Sequence, residues 1–237
     1  MRGIDARIAT IRSGPAGLSA PGCALGWQIP PAPALVDPQR PGEKPMSPSR
    51  LLLAALALAP VAVTAAPTTY VIDPTHTTVL ASWDHLGFSR PSAHFGNASG
   101  TLVHDPADLS ASSVEVTLPL SGMDGFSENF NQHLRSGDLF EAERYPTITF
   151  RSTAVEAAGE GRMKVTGELT IKDTTRTVVL DARLNRAAEH PMLKRPAIGF
   201  DATTTLRRSE FGIGYAVPAV SDEVELRITT EAVVAAD

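Results

Sequence analysis

Alternation between apolar and polar residues with a period of two is the feature that most restricts how this chain can fold. In a strand, successive side chains point to opposite faces, so this alternation indicates strands with one buried face. Parallel strands would instead be apolar on both faces. The sequence therefore predicts a mostly antiparallel sheet, with six clear runs at Val114 to Leu120, Ile148 to Phe150, Met163 to Ile171, Val178 to Leu184, Ile198 to Leu206 and Val224 to Thr230.

Short turn-forming stretches separate these runs, so we expect most neighbouring strands to be joined by local hairpins. The turns are predicted at Asp105-Pro106, residues 158–161, residues 172–174 and His190-Pro191. Counting the alternating runs gives some eight to ten strands, and closing them into a barrel would remove the exposed sheet edges.

One segment, Met123 to Asp138, breaks the alternation and predicts a single short α-helix. Ser121 to Asp124 offer side chains that could cap its start, and Gly137 could end it. Apolar and aromatic residues recur in this segment at spacings of three and four, namely Phe126, Phe130, His133 and Leu134. The pattern therefore predicts an all-β fold of some eight to ten antiparallel strands with one short inserted α-helix.

The segment Met46 to Ala66 has the three zones of a signal peptide: a short basic start at Arg50, an unbroken apolar run over Leu51 to Val63, and small residues before a cleavage point after Ala65. Thirteen apolar residues rise only about 20 Å as a helix, against roughly 30 Å for a bilayer core. We therefore interpret residues 1–45 as a mis-assigned or disordered N-terminal extension, residues 46–65 as a signal peptide, and residues 66–237 as the folded domain. The segment therefore predicts that the folded domain is exported from the cytoplasm.

The charge balance of the expected mature chain argues against a nucleic-acid partner. The whole chain has 21 basic and 26 acidic residues; six and three of these precede residue 66, which leaves 15 basic and 23 acidic residues, formally −8. Binding to nucleic acid or to an anionic membrane surface needs basic patches. The single cysteine, Cys23, lies in the expected extension, so the mature domain has no disulfide framework and no thiolate nucleophile.

Motifs that would indicate catalysis or a cofactor are weak. None of the six histidines is spaced as H-x-H or H-x-x-x-H, and neither a nucleophile elbow nor a glycine-rich phosphate loop occurs. We therefore predict no metal and no cofactor. Asp73 and His76 could still meet in space with a serine. Inward small residues such as Ala182, Ala202 and Thr204 leave room in a barrel, but residue pattern alone leaves a filled core and a cavity equally open.

Polar residues are densest from Asn131 to Phe140. In a structural role, Arg135 would bond the last helix carbonyls and pair with Asp138. In a functional role, Arg135 and His133 would hold the polar head of a ligand at a barrel mouth.

Four ordered motifs resemble the YceI-like family of lipocalin-like, polyisoprenoid-binding periplasmic proteins, over Thr69 to Val234. The resemblance lies in Tyr70 to His76, in His133 to Phe140 followed by Tyr145 to Phe150, in Gly167 to Ile171, and in Arg208 to Gly212. It implies an extended, lipocalin-like antiparallel barrel of about eight strands with one short inserted α-helix, whose apolar cavity holds an isoprenoid lipid, quinone-like or polyprenyl, in the periplasm. We also expect transient contact with a membrane, and a homodimer is left open.

From this resemblance we expect a non-enzymatic carrier with His76, Arg135 and Arg208 at the polar end of the ligand. Rival hypotheses are an enzyme acting on a lipophilic substrate, using His76, Asp73 and Arg135, and a stress protein with no ligand. The expected cavity-lining residues are Leu80, Val116, Leu118, Phe130, Phe150, Leu169, Leu180, Phe200 and Phe211.

Overall fold

The computed structural model describes residues 66–236, so the predicted extension and signal peptide lie outside the described residues. Within this range the chain forms eleven strands and one α-helix, α1 (Glu128–Arg135). The strands are β1 (Thr68–Ile72), β2 (Thr78–His85), β3 (Ser92–Phe95), β4 (Ser99–His104), β5 (Ser113–Pro119), β6 (Met123–Asp124), β7 (Thr147–Ala157), β8 (Arg162–Ile171), β9 (Thr174–Glu189), β10 (Pro196–Arg207) and β11 (Val220–Val233).

Six of the strands behave as halves of three interrupted strands. β1 and β2 pair with successive parts of β11, while their other edges pair with β4 and β3, respectively. β5 and β6 pair in the same way with β4 and β3. The antiparallel order is then β1/β2, β3/β4, β5/β6, β7, β8, β9, β10, β11 and back to β1/β2. The fold is therefore a closed, eight-stranded antiparallel barrel with one helix, which confirms the predicted fold class.

Local chemistry explains the first interruption, between β1 and β2. Asp73 accepts a hydrogen bond from the Thr75 backbone N–H at 2.8 Å, and its other oxygen lies 2.7 Å from His76 Nδ1. Pro74 has no N–H to donate to a ladder. Asp73 and Pro74 together replace strand pairing with a turn.

The helix is shorter than predicted and begins later. The prediction that it starts near Met123 is wrong, because Met123 and Asp124 pair with Phe95 and His94 as β6. Ser127 is the actual N-cap, and its side chain accepts a hydrogen bond from the Phe130 N–H. The helix ends at Arg135, with Ser136 rather than Gly137 at its C-cap.

Buried side chains form two clusters, one in each half of the barrel. One packs under α1 and includes Phe95, Met123, Leu134 and Phe211. The other lies in the opposite half and includes Tyr70, Ile198 and Phe200.

In β5 and in β7 to β11, the residues that face the barrel interior are the apolar residues that the alternation predicts to be buried. Connections 86–91, 125–146, 172–173 and 208–219 lie at what we call the helix end, and those at 105–112, 158–161 and 190–195 at the far end.

Candidate functional site

A first cavity lies under α1 at the helix end of the barrel. It contains about 1200 Å³ of empty space, including the part that opens to solvent. β2, β3, α1 and the segment after β10 contribute most of its walls. The lining is almost entirely apolar and includes Val79, Ala81, Trp83, Phe95, Phe130, Leu134, Phe140, Ile148, Phe211, Ile213, Leu226 and the polar residues His85, His133, Arg208 and Tyr215.

A second cavity of about 1140 Å³, again including open space, occupies the far half of the barrel. It is walled by inward residues of β4, β5 and β7 to β11, with His104, Ser112 and Ser113 among its few polar residues. The apolar lining includes Ile72, Val114, Val116, Phe150, Val155, Met163, Val165, Leu180, Ala182, Phe200, Ala202 and Ile228.

The two cavities are neighbours inside the barrel and share part of their walls. Val79, Leu118, Leu169 and Leu226 line both of them. The fourteen residues of β11, at ~3.4 Å rise and a tilt of about 40°, give a barrel height of roughly 36 Å. The barrel is therefore about as tall as a bilayer core is thick, ~30 Å.

Helix α1 closes the helix end through aromatic contacts. The Phe130 and Trp83 rings lie 5.9 Å apart, and the His133 ring meets Tyr215 edge-on at 5.4 Å. Tyr215 is 53% exposed and lines the first cavity, as does the exposed His85. The mouth of the first cavity therefore lies between the β2–β3 turn and the segment that follows β10.

Arg208 lines the first cavity, but its guanidinium is occupied by the protein itself. Four N–H groups donate to backbone carbonyls, those of Ser221, Ile213, Tyr215 and Val220, at 2.8 to 2.9 Å. Burial lowers the pKa of Arg208, while the neighbouring Asp222 carboxylate acts to raise it. Arg208 therefore holds the segment between β10 and β11 in place, with one of its five N–H groups left for a ligand.

Replacing Arg208 with Lys is expected to loosen this segment without removing the positive charge. A lysine ammonium lacks the planar fork that reaches several carbonyls at once, so we expect a loss of about 2 kcal/mol in unfolding free energy. Amide hydrogen exchange of residues 209–220 should become faster. Arg207→Lys, at the exposed neighbour in β10, is the matched control, and equal exchange rates in both variants would contradict this role.

Eight of the nine apolar residues predicted for the cavity line it. Val116, Phe150, Leu180 and Phe200 line the second cavity, Phe130 and Phe211 the first, Leu118 and Leu169 both. The exception is Leu80, and its prediction is wrong. Val79, Ala81 and Trp83 face inward, so Leu80 lies on the outer face, where it pairs with His94 and Arg227.

Two of the three predicted polar contacts lie outside both cavities. His76 is on the barrel surface beside Asp73, whose hydrogen bond raises the pKa of its imidazole. Arg135 donates from Nη2 to the Met123 carbonyl at 2.8 Å and forms no ion pair with Asp138 among the described residues. Neither residue lines the first or the second cavity, so the arrangement of His76, Asp73 and Arg135 required by the enzyme hypothesis is not observed around the barrel interior.

Sequence reasoning missed several residues at the mouth, above all Trp83, His85 and Tyr215. Trp83 could have been found, because it follows Val79 and Ala81 at the period of two. Tyr215 could not, because it lies in an irregular segment where no periodicity indicates a face.

Residues 66–236 contain no group of three His, Cys, Asp or Glu side chains placed to hold a metal ion. Over the same range, no helix has the length and apolarity needed to cross a bilayer.

In a comparison with known protein families, the model of the YceI-like domain matches residues 70–232. A UPF0312 protein of Vibrio cholerae is 35% identical over 183 residues, which cover 76% of this chain and 94% of that relative.

Solved structures show the same barrel. BcnA of Burkholderia cenocepacia is similar with a TM-score of 0.62 and 26% identity, over 68% of this chain and 98% of BcnA. A polyisoprenoid binding domain from Saccharophagus degradans aligns with a TM-score of 0.55 over 70% of this chain and 98% of that domain. At 13% identity, this second similarity concerns the fold alone.

Proposed function

This chain belongs to the YceI-like domain family, and from that membership together with the apolar barrel interior we propose that it binds an isoprenoid lipid and carries it in the periplasm. The main observation in support of the proposal is the pair of adjacent apolar cavities inside the barrel. Their lining in the described chain includes no Asp, Glu or Lys. The S. degradans domain, which shares this fold, is a polyisoprenoid binding domain.

Energetics require that such a lipid move between the barrel and a membrane. Burying a tail of about 30 to 40 carbons at ~0.8 kcal/mol per methylene would exceed the roughly 18 to 21 kcal/mol ceiling on non-covalent affinity if water were the reference. In a bilayer the tail is already in hydrocarbon, so transfer into the barrel lies near balance. The proposed carrier therefore needs transient contact with a membrane, and export through the segment 46–65 would place it beside one.

We propose binding rather than catalysis as the function of the interior. The hydrogen-bonded pair of Asp73 and His76 resembles the base and orienting residue of a hydrolase, but it lies on the outer surface, where His76 is 62% exposed. It has no access to a lipid held inside the barrel.

Organic extraction of the purified protein followed by mass spectrometry tests the proposal. We expect an isoprenoid at a molar ratio approaching one. His76→Ala should retain the same amount, because His76 lies outside both cavities. Absence of any isoprenoid, together with failure of the protein to take one up from vesicles, would favour an enzyme or a barrel that binds no ligand.

A further inference from the structure

Charge is almost absent from the barrel interior. Of the residues that line either cavity within the described chain, only Arg208 carries a permanent charge. Four of its N–H groups already donate to backbone carbonyls. The second cavity has no Arg, Lys, Asp or Glu in its lining, so a charged group on a ligand would lose its water there without gaining a counter-ion.

His104 is the buried titratable residue of the second cavity. Only 8% of it is exposed, and its ring meets Phe200 edge-on at 6.2 Å. Within residues 66–236 the ring nitrogens have no hydrogen-bond partner. No fully buried side-chain nitrogen or oxygen of the described residues lacks a partner, so the ring nitrogens of His104 remain accessible. His104 therefore lines the second cavity with hydrogen-bonding capacity that the protein does not use, and Ser112 and Ser113 line the same cavity.

The protonation state of His104 fits an uncharged partner. Burial lowers the pKa of its imidazole from the usual 6.5, with the nearby Asp105 opposing this shift. The ring is therefore neutral at pH 7. A neutral imidazole has one donor and one acceptor nitrogen, which suits a carbonyl or a hydroxyl group.

We propose that this barrel selects isoprenoids with an uncharged head group and that His104 hydrogen-bonds to that head in the second cavity. The inference rests on the proposed function and names the class of lipid. Isoprenoid diphosphates are disfavoured, because desolvating several negative charges without a cation costs far more than burying a carbonyl or hydroxyl that is hydrogen-bonded.

Ligands that share a four-unit isoprenoid tail test the selectivity. Geranylgeraniol, menaquinone-4 and geranylgeranyl diphosphate would be compared by competition at equal free concentration, with bound lipid measured by mass spectrometry. We expect the diphosphate to bind at least about tenfold more weakly than the other two. Equal or tighter binding of the diphosphate would overturn the proposal.

The role of His104 is tested with His104→Phe, which keeps a ring against Phe200 and removes both nitrogens. We expect geranylgeraniol and menaquinone-4 to bind about five to ten times more weakly, whereas squalene, which has no polar head, should bind within about twofold of the original protein. His94→Phe, on the outer face of β3 opposite Leu80, is the matched control. An equal change for squalene and the headed lipids would refute a hydrogen bond from His104.

These results separate failure of the inference from failure of the proposed function. If no isoprenoid or squalene binds to the original protein, the proposed lipid-binding function is wrong. If lipids bind but the diphosphate is preferred, only the head-group selectivity is wrong. The comparison of head groups needs no variant, so it stands even if His104→Phe fails to fold.

Discussion

Replacement of Ala202 with Phe is expected to remove most of the lipid bound by this protein while leaving the barrel folded. Ala202 is buried in β10, lies opposite Ala182 of β9, and lines the second cavity. The new ring would extend into empty space and displace about four methylenes of a bound tail. At ~0.8 kcal/mol each, this costs about 3 kcal/mol, or about a hundredfold in affinity. Lipid recovered by organic extraction is the measurement.

Thr203→Phe is the matched control for this experiment. Thr203 is the next residue in β10 and is exposed on the outer face, so the same side chain there leaves the cavity open. Aromatic residues are well tolerated in strands, and both variants should unfold cooperatively near the temperature of the original protein. Undiminished lipid in folded Ala202→Phe would show that the tail does not occupy the second cavity.

Among glycine-to-alanine substitutions in the described chain, we expect Gly100→Ala to cause the largest loss of stability. Gly100 lies in β4 opposite Val116 of β5, with φ at +155°. A Cβ atom at this position would clash with the Glu115 carbonyl oxygen and lie 3.0 Å from Val116 Cα. Because these are backbone atoms of the paired strand, no side-chain rotation relieves the clash, and β4 and β5 must separate. We expect a loss of about 3 kcal/mol in unfolding free energy.

Thermal unfolding measures this effect. For a domain of this size, a loss of about 3 kcal/mol lowers Tm by roughly 6 to 12 °C. Gly214→Ala is the control, because a Cβ there would meet no atom within 4 Å, and a Gly to Ala change without strain is neutral or slightly stabilising. Equal Tm values for the two variants would contradict the close approach of β4 and β5 at Gly100.

Much of the cavity wall could be predicted because strand periodicity is a local property. Phe150, Leu169, Leu180 and Phe200 each alternate with polar neighbours, and covalent geometry sends alternate side chains to opposite faces. The same reasoning failed for Leu80, because Val79 and Leu80 are both apolar. Only the pairing of β2 with β3 and β11 determines which of the two faces the interior.

The polar residues show a second limit of prediction. Arg208 was expected to contact a ligand and it lies at the mouth. Most of its donors, however, bind backbone carbonyls of the segment after β10 and of the first two residues of β11, up to thirteen residues away. His76 and Arg135 belong to motifs that resemble the family, yet they serve the turn after β1 and the anchoring of α1. A sequence motif therefore identifies functionally or structurally important residues, but it does not show whether they stabilise the fold or bind a ligand.

The sequence by itself determined the class of fold, most strand positions, the single helix and the inward apolar faces, because each depends on residues close together in the chain. The tertiary structure decided where strands are interrupted, where the helix begins, which side chains form the mouth, and that two cavities lie next to each other along the barrel. Those properties depend on the space that remains after eight strands close and pack, and that volume is set by contacts between residues far apart in the sequence.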